Sequence, residues 1–428
     1  MSPYYRLVQG RDGYFYGTTL YGIILGTGPG TIFRISGSGG DLTNLWSFTG
    51  GVDGAAAKGV TLGSDGRFYG TTYEGGTNGV GSVFRIDGSG SLTNLYSFTG
   101  IPDGAHPQAP LVQGSDGNLY GTTWSGGTNG SGSVFRISPS GSYSNLHSFS
   151  GPDGANPFAA LVQGNDGNFY GTTWSGGTNG DGTIFRISSS GSYSNLHIFS
   201  GPEGANPLAA LVQGNDGNFY GTTEYGGTNS DGTVFRISPS GALTNLWSFT
   251  GGIDGAEPMS ELVQGSDGNF YGTTYLGGVN DHGTVYRISP SGTLTNLHLF
   301  TGGSDGAEPF AGLVQGSDGN LYGATGYGGN TNLDGGNGYG TVFRLTVPLN
   351  PPANQISAVS RAGNNLIFNI PSVASETYQL QFSSSMTPTN WVNVPGVSVT
   401  NSIGALLTVT NFGGASQPQG FYRFDITP

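Results

Sequence analysis

Leu161-Val162-Gln163-Gly164-Asn165-Asp166-Gly167-Asn168-Phe169-Tyr170-Gly171-Thr172-Thr173 decides the fold, because close variants of it recur seven times along the chain. A short apolar run meets Asp-Gly, the signature of a tight hairpin, and an aromatic and β-branched run follows. The Asp falls at Asp12, Asp65, Asp116, Asp166, Asp216, Asp267 and Asp318, at spacings of 53, 51, 50, 50, 51 and 51 residues. A fixed period of this length signals a solenoid, an array or a propeller. Residues present in every copy are then expected to be architectural, and those that differ between copies are where function would reside.

Working outward, residues 175–182 form a Gly, Thr and Asn loop, and Thr183-Ile184-Phe185-Arg186-Ile187 reads as a third strand. A Ser-Gly turn at 188–191, a fourth strand at 193–199 and a loop at 201–207 complete the unit. No segment has helical periodicity. Four short antiparallel strands repeated seven times predict an all-β chain whose residues 1–347 form a seven-bladed β-propeller. The fourth strand occurs six times, so blade seven is expected to lack its outer strand. Pro3 falls on the repeat position of Pro157, so the chain begins inside the repeat frame, as expected of a mature or truncated form without its signal peptide. A Pro-rich linker is expected at 348–353. The alternating runs within 354–428 predict a small β-sandwich of fibronectin or immunoglobulin type.

The strings at 161–173 and at 232–238 (Gly-Thr-Val-Phe-Arg-Ile-Ser) resemble the GloVer tandem repeat of exported bacterial proteins. The resemblance spans 1–347. It implies export, hence an extracellular or cell-surface location, and implies no general catalytic activity or site residue.

Glycine accounts for 82 of 428 residues, at fixed places in the repeat, beside 24 Phe, 22 Tyr and 5 Trp. This is turn glycine with ample aromatic side chains for a core. There is no cysteine, so no disulfide or thiolate metal site. A net charge of −13, with Lys58 the single lysine, excludes nucleic-acid or anionic-membrane binding by bulk electrostatics. No apolar run is long enough to span a bilayer. A monomer is expected. No cofactor is implied; a calcium ion held by loop carboxylates is the one metal considered.

Seven arginines (Arg34, Arg85, Arg136, Arg186, Arg236, Arg287 and Arg344) share one position on the third strand. Either they ring an anionic ligand, or each pairs with its own turn Asp, as Arg186 with Asp166; a buried lone charge needs a partner, which favours the second. His147, His197 and His298 interchange with Trp46, Tyr96 and Trp247, which speaks for packing. On the loop face expected opposite the Asp-Gly turns lie Tyr73, Trp124, Trp174, Tyr225, Tyr275 and Tyr327. Flat aromatics beside Asn and glycine backbone suit stacking on sugar rings, against the plainer reading that they cap the blades. The x of Gly-Ala-x-Pro varies most: Ala56, His106, Asn156, Asn206, Glu257 and Glu308, with Glu261 four residues beyond Glu257. Paired carboxylates are what glycoside hydrolysis requires, so Glu257, Glu308, Glu261 and His106 are the catalytic candidates. The expectation is a neutral-polysaccharide-binding propeller. A polysaccharide-degrading enzyme, a glycoside hydrolase rather than a lyase, and a structural surface protein are the alternatives.

Overall fold

A computed structural model describes residues 7–20, 28–36, 41–316, 319–330 and 338–347 of the repeat region, and 358–362, 365–371, 377–383, 392–400, 406–411 and 421–427 beyond it. Asp318 and the expected linker at 348–353 lie outside the described residues. The repeat region is a seven-bladed β-propeller. Blade four shows the plan: Val162–Gln163, Phe169–Thr173, Thr183–Ile187 and Tyr193–Ile198 pair antiparallel in sequence order. Six sheets have four strands and the seventh has three (Val314–Gln315, Leu321–Ala324 and Val342–Leu345) among the described residues.

The recurring string explains itself in the structure. Gly167 turns the hairpin at a φ of +80°, a left-handed value that glycine adopts without a Cβ clash. Its N–H donates to Gly164 O at 2.9 Å, and Gly164 N–H to Asn168 O at 2.8 Å. Asp166 ties the turn together by accepting from the Asn168 backbone N–H at 3.1 Å. Gly171, at the centre of the second strand, makes room for its neighbours. A Cβ there would lie 2.6 Å from Phe185 Cζ and 2.8 Å from Leu161 Cδ2.

The core lies between blades rather than within them. Tyr170 of blade four stacks on Phe219 of blade five at 4.0 Å, and Tyr120 of blade three on Phe169 of blade four at 3.9 Å. Tyr170, Ile184, Phe199, Leu211, Phe219, Phe235 and Ile237 form one buried cluster shared by two consecutive blades. Each such side chain stabilises the seam by about 1.5–3 kcal/mol, so neighbouring blades depend on one another.

The expected arginine–aspartate pairing is not what the fold uses. Antiparallel register sets Arg186 beside Tyr170, and it is the Tyr170 hydroxyl that donates to Asp166, at 2.8 Å. The same Tyr-to-Asp bond joins Tyr16 to Asp12, Tyr69 to Asp65, Tyr120 to Asp116 and Tyr220 to Asp216. At Asp12, Asp65, Asp116, Asp166 and Asp216 the carboxylate accepts from this tyrosine, and among the described residues no ion pair to a third-strand arginine is seen. Arg34, Arg85 and Arg136 instead donate to Gly88 O, Pro139 O and Ser189 O in the Ser-Gly or Asp-Gly turn of the next blade, at 3.2–3.3 Å. They are seam residues, distributed one per blade.

The C-terminal segment contains two three-stranded antiparallel sheets. One joins Ala358–Ala362, Asn365–Pro371 and Leu406–Asn411; the other joins Val392–Thr400, Thr377–Ser383 and Phe421–Thr427.

Candidate functional site

The variable position of Gly-Ala-x-Pro has one backbone state in every blade that carries it. Ala56, His106, Asn156, Asn206, Glu257 and Glu308 all have φ between +52° and +57°. L-residues pay for this left-handed state, Asn least. The bend serves the blade seams. The N–H of His106 donates to Val80 O, that of Asn156 to Ser131 O and that of Glu257 to Asp231 O, each in the preceding blade, at 2.8–2.9 Å. The carbonyls accept from their own blade: His106 O from Trp124 N–H and Asn156 O from Trp174 N–H, at 3.1–3.2 Å. The main chain is thus committed, and the side chains face the loop rim.

On that rim the structure gathers some of the expected aromatics and separates others. Trp124 and Trp174, on blades three and four, lie 5.8 Å apart at 42°, and Phe158 meets Trp124 edge-on at 5.8 Å. Tyr73, on blade two, contacts the His106 ring at 4.8 Å. Tyr225 and Tyr327 do not continue this row. They stand one residue further along, bridging Ala205 and Ala307, and are 38% and 42% exposed. The residues equivalent to Trp174 in blades five and seven are Glu224 and Gly326. Glu224 is buried and accepts from Trp174 Nε1 at 3.2 Å.

The rim therefore has two sectors. Blades two to four carry Tyr73, His106, Trp124 and Trp174. Blades five to seven carry carboxylates. Burial, with the fields of Glu224, Asp231 and Asp281, raises the Glu257 carboxyl above its ordinary range. Burial and the adjacent Glu224 push the Tyr225 hydroxyl up to about 12. Glu308 accepts from the Tyr275 hydroxyl at 2.5 Å. Glu261 is placed apart from these, in the lining of a central cavity of about 430 Å³. That cavity is bounded by all seven blade entries and is largely apolar, with Leu111, Phe158, Leu161, Leu208, Met259 and Phe310 in its wall. Among the described residues no group of three or more His, Asp or Glu is arranged to hold a metal ion.

The interchanging fourth-strand residues share one task. His147, His197 and His298 bond Asp153, Glu203 and Asp305 at 2.8–3.2 Å. Trp46 and Trp247 donate to Asp53 and Asp254 at 3.1–3.2 Å, and Tyr96 donates to Asp103 at 2.5 Å. Any ring bearing a polar hydrogen satisfies the loop acid. His106 differs: its Nδ1 lies 3.0 Å from Ser125 Oγ on the rim.

Lys58 is a rim-side residue that the motif reading passed over. It lies within the blade-two entry strand Ala55–Leu62, where the pairing register shifts between Ala57 and Val60. It is 9% exposed, and its ammonium lies 4.8 Å from the Tyr73 ring. Burial lowers it to about 8, with Glu74 acting in the opposite direction. Its being the chain's single lysine was the available signal.

The sequence profile of the Gloeobacter/Verrucomicrobia repeat matches residues 1–165 and 159–350. No match was found among proteins of curated function. Among solved structures, the extracellular domain of a provisionally assigned one-component system from B. thetaiotaomicron is similar at 13% identity and a TM-score of 0.50, covering 99% of this chain and 54% of that one. A provisionally assigned 6-phosphogluconolactonase from Bacteroides fragilis is similar at 15% identity and a TM-score of 0.45, covering 93% and 98%. These likenesses concern the fold.

Proposed function

The chain belongs to the Gloeobacter/Verrucomicrobia repeat family, and from that premise we propose that it is an extracellular carbohydrate-binding propeller that takes neutral polysaccharide on its loop rim. The observation that carries this reading is the Trp124–Trp174 pair, continued by Phe158. Adjacent blades present apolar ring faces beside glycine-rich loops with Asn and Ser groups able to hydrogen-bond, as a sugar requires. The loops after the two tryptophans, 125–130 and 175–180, have one sequence, Ser-Gly-Gly-Thr-Asn-Gly, so they offer two like contacts to a repeating ligand. The composition, rich in Gly, Thr, Ser and Asn with one lysine and no cysteine, suits an exported protein. The two C-terminal sheets would pack as a sandwich.

Calorimetric titration with neutral oligosaccharides tests the reading. Trp124→Ala and Trp174→Ala each weaken binding about tenfold or more; the melting temperature is unchanged in Trp124→Ala and falls slightly in Trp174→Ala, where buried Glu224 loses its indole donor. If both variants melt early and bind normally, the tryptophans are blade caps and the reading fails.

A second reading, a glycoside hydrolase, draws support from Glu257, whose raised pKa suits a general acid. It requires turnover that is lost in Glu257→Gln or Glu308→Gln while binding persists. Absence of reducing-sugar release from every polysaccharide bound would remove it.

A further inference from the structure

Lys58 is the one amino side chain in the protein, and it is held in an unusual way. The side chain is nine-tenths buried while the ammonium itself keeps access to solvent, and among the described residues it shows no hydrogen bond to a protein acceptor and no ion pair. The contact that the fold provides is the face of Tyr73, at 4.8 Å. An ammonium that has lost much of its hydration commonly has a carboxylate or several carbonyls around it. A ring face replaces only part of that solvation. The local backbone is also particular to this blade. The entry strand has a register shift at Lys58, and Gly59 follows with a φ of +81°. Such bulges re-aim side chains.

The surroundings of this cation are those of the rim. Tyr73 touches His106, His106 reaches Ser125, and Ser125 follows Trp124, which faces Trp174. An amino group with no carboxylate at ion-pair distance, Glu74 acting on it only through its field, is thus linked through successive contacts to the proposed sugar platform. We infer that Lys58 receives a single carboxylate carried by a saccharide, so that the ligand is a largely neutral glycan bearing an isolated uronic acid. This deepens the carbohydrate-binding reading and rests on it. The isolation of the acid follows from charge. One buried cation can pair with one carboxylate, whereas the net charge of −13 repels a polyuronate. Glu74 and Tyr73 are the titratable groups beside Lys58, with His106 beyond Tyr73, and burial sets it near 8.

The test uses three probes of matched length: xylotetraose, a xylo-oligosaccharide with one glucuronate branch, and the methyl ester of that branched compound. Binding is measured to the full chain and to Lys58→Met and Lys58→Arg at pH 7. The expected result is at least tenfold tighter binding of the acid than of its ester. That advantage disappears in Lys58→Met and is partly kept in Lys58→Arg. Because the chain has one lysine, labelling of its ε-amine by an amine-reactive reagent gives an independent readout, and the branched acid slows labelling where the ester does not.

Equal affinity for acid and ester, or an acid preference that survives in Lys58→Met, overturns the inference. If xylotetraose binds through Trp124 and Trp174 with no gain from the acid, the inference falls and the carbohydrate reading stands. If no saccharide binds, both fall. Should acetate at the same concentration protect Lys58 from labelling as well as the branched acid does, the site takes small carboxylates and the glycan assignment is refuted. A Lys58→Met variant that failed to fold would leave Lys58→Arg and the labelling of unmodified protein to decide.

Discussion

The Tyr170 hydroxyl donates to Asp166 Oδ2 at 2.8 Å, across the hairpin that begins each blade's main strand pair. The tyrosine ring is fully buried and its oxygen reaches back to the turn. The carboxylate also holds the Asn168 side chain at 2.8 Å, so one acid organises both the turn and the aromatic seam. Burial opposes its ionisation, but the bonds from Asn168 and Tyr170 and the field of Arg186 outweigh it, leaving its pKa below the ordinary carboxylate value.

This relationship orders three variants. Asp166→Ala strands a buried hydroxyl and opens the turn, costing about 2–3 kcal/mol. Tyr170→Phe removes one bond and leaves Asp166 with Asn168, costing about 1 kcal/mol. Arg186→Met costs less than Asp166→Ala. Urea unfolding checks the order; a loss in Arg186→Met larger than in Asp166→Ala would restore the arginine as the turn's partner.

Alkaline unfolding follows from the same groups. Burial, then the bond to the turn Asp, raises Tyr120, Tyr170 and Tyr220 to about 12. A group with a raised folded pKa contributes stability below its unfolded value, about 10, and loses it as pH rises through the folded one. The melting temperature therefore declines steeply between pH 10 and 12. Tyr170→Phe reduces that slope, which a series of thermal melts against pH resolves.

Glu257→Asn is expected to stabilise the fold. Asn tolerates the left-handed backbone, and Asn206 in the equivalent place donates its side chain to Trp174 O at 2.9 Å. The gain is about 1 kcal/mol from backbone strain. Because the folded Glu257 has a raised pKa, the wild type loses stability as pH rises through it. The gap between variant and wild type thus widens from pH 4 to pH 7. A melting temperature unchanged or lower at pH 7 refutes the strain argument.

Lys58→Met is expected to raise stability at pH 7 by an amount on the order of 1 kcal/mol, since a partly desolvated cation with no protein acceptor is exchanged for an apolar chain. The folded pKa, about 8, lies below that of the unfolded lysine. The unfolded state therefore holds its proton longer, and wild-type stability recovers as pH rises from 8 toward 10. The variant's advantage shrinks over that interval. A destabilised Lys58→Met at pH 7 would mean that the ammonium is already satisfied in the free protein.

Blade number, strand order and turn chemistry were legible because each copy restated them. Asp-Gly demanded a positive φ, and Gly171 sat where Leu161 and Phe185 converge. Side-chain partnership was less legible. Spacing places Arg186 near both Tyr170 and Asp166 without saying which one the carboxylate holds. The one-residue offset of Tyr225 and Tyr327 from the Trp124 and Trp174 position was visible in the sequence, but its effect on which rings touch was not. Lys58 was invisible to motif reading because it belongs to no motif, and its burial depends on a register shift that the repeat does not predict.

Ala56 takes the same left-handed turn as Glu308 with a methyl group for a side chain, and its N–H still reaches Pro29 O, at 2.6 Å. The main-chain bond at that place in the repeat needs no particular side chain, although Asn156 and Asn206 add a bond to the Trp124 or Trp174 carbonyl. Main-chain atoms clamp each blade to the one before, so the side chains at these six positions can differ without opening the seam. Evolution can rewrite those letters without renegotiating a seam. A designer could randomise them together, with Asn as the default letter, and obtain a library of binding rims on one unaltered wheel.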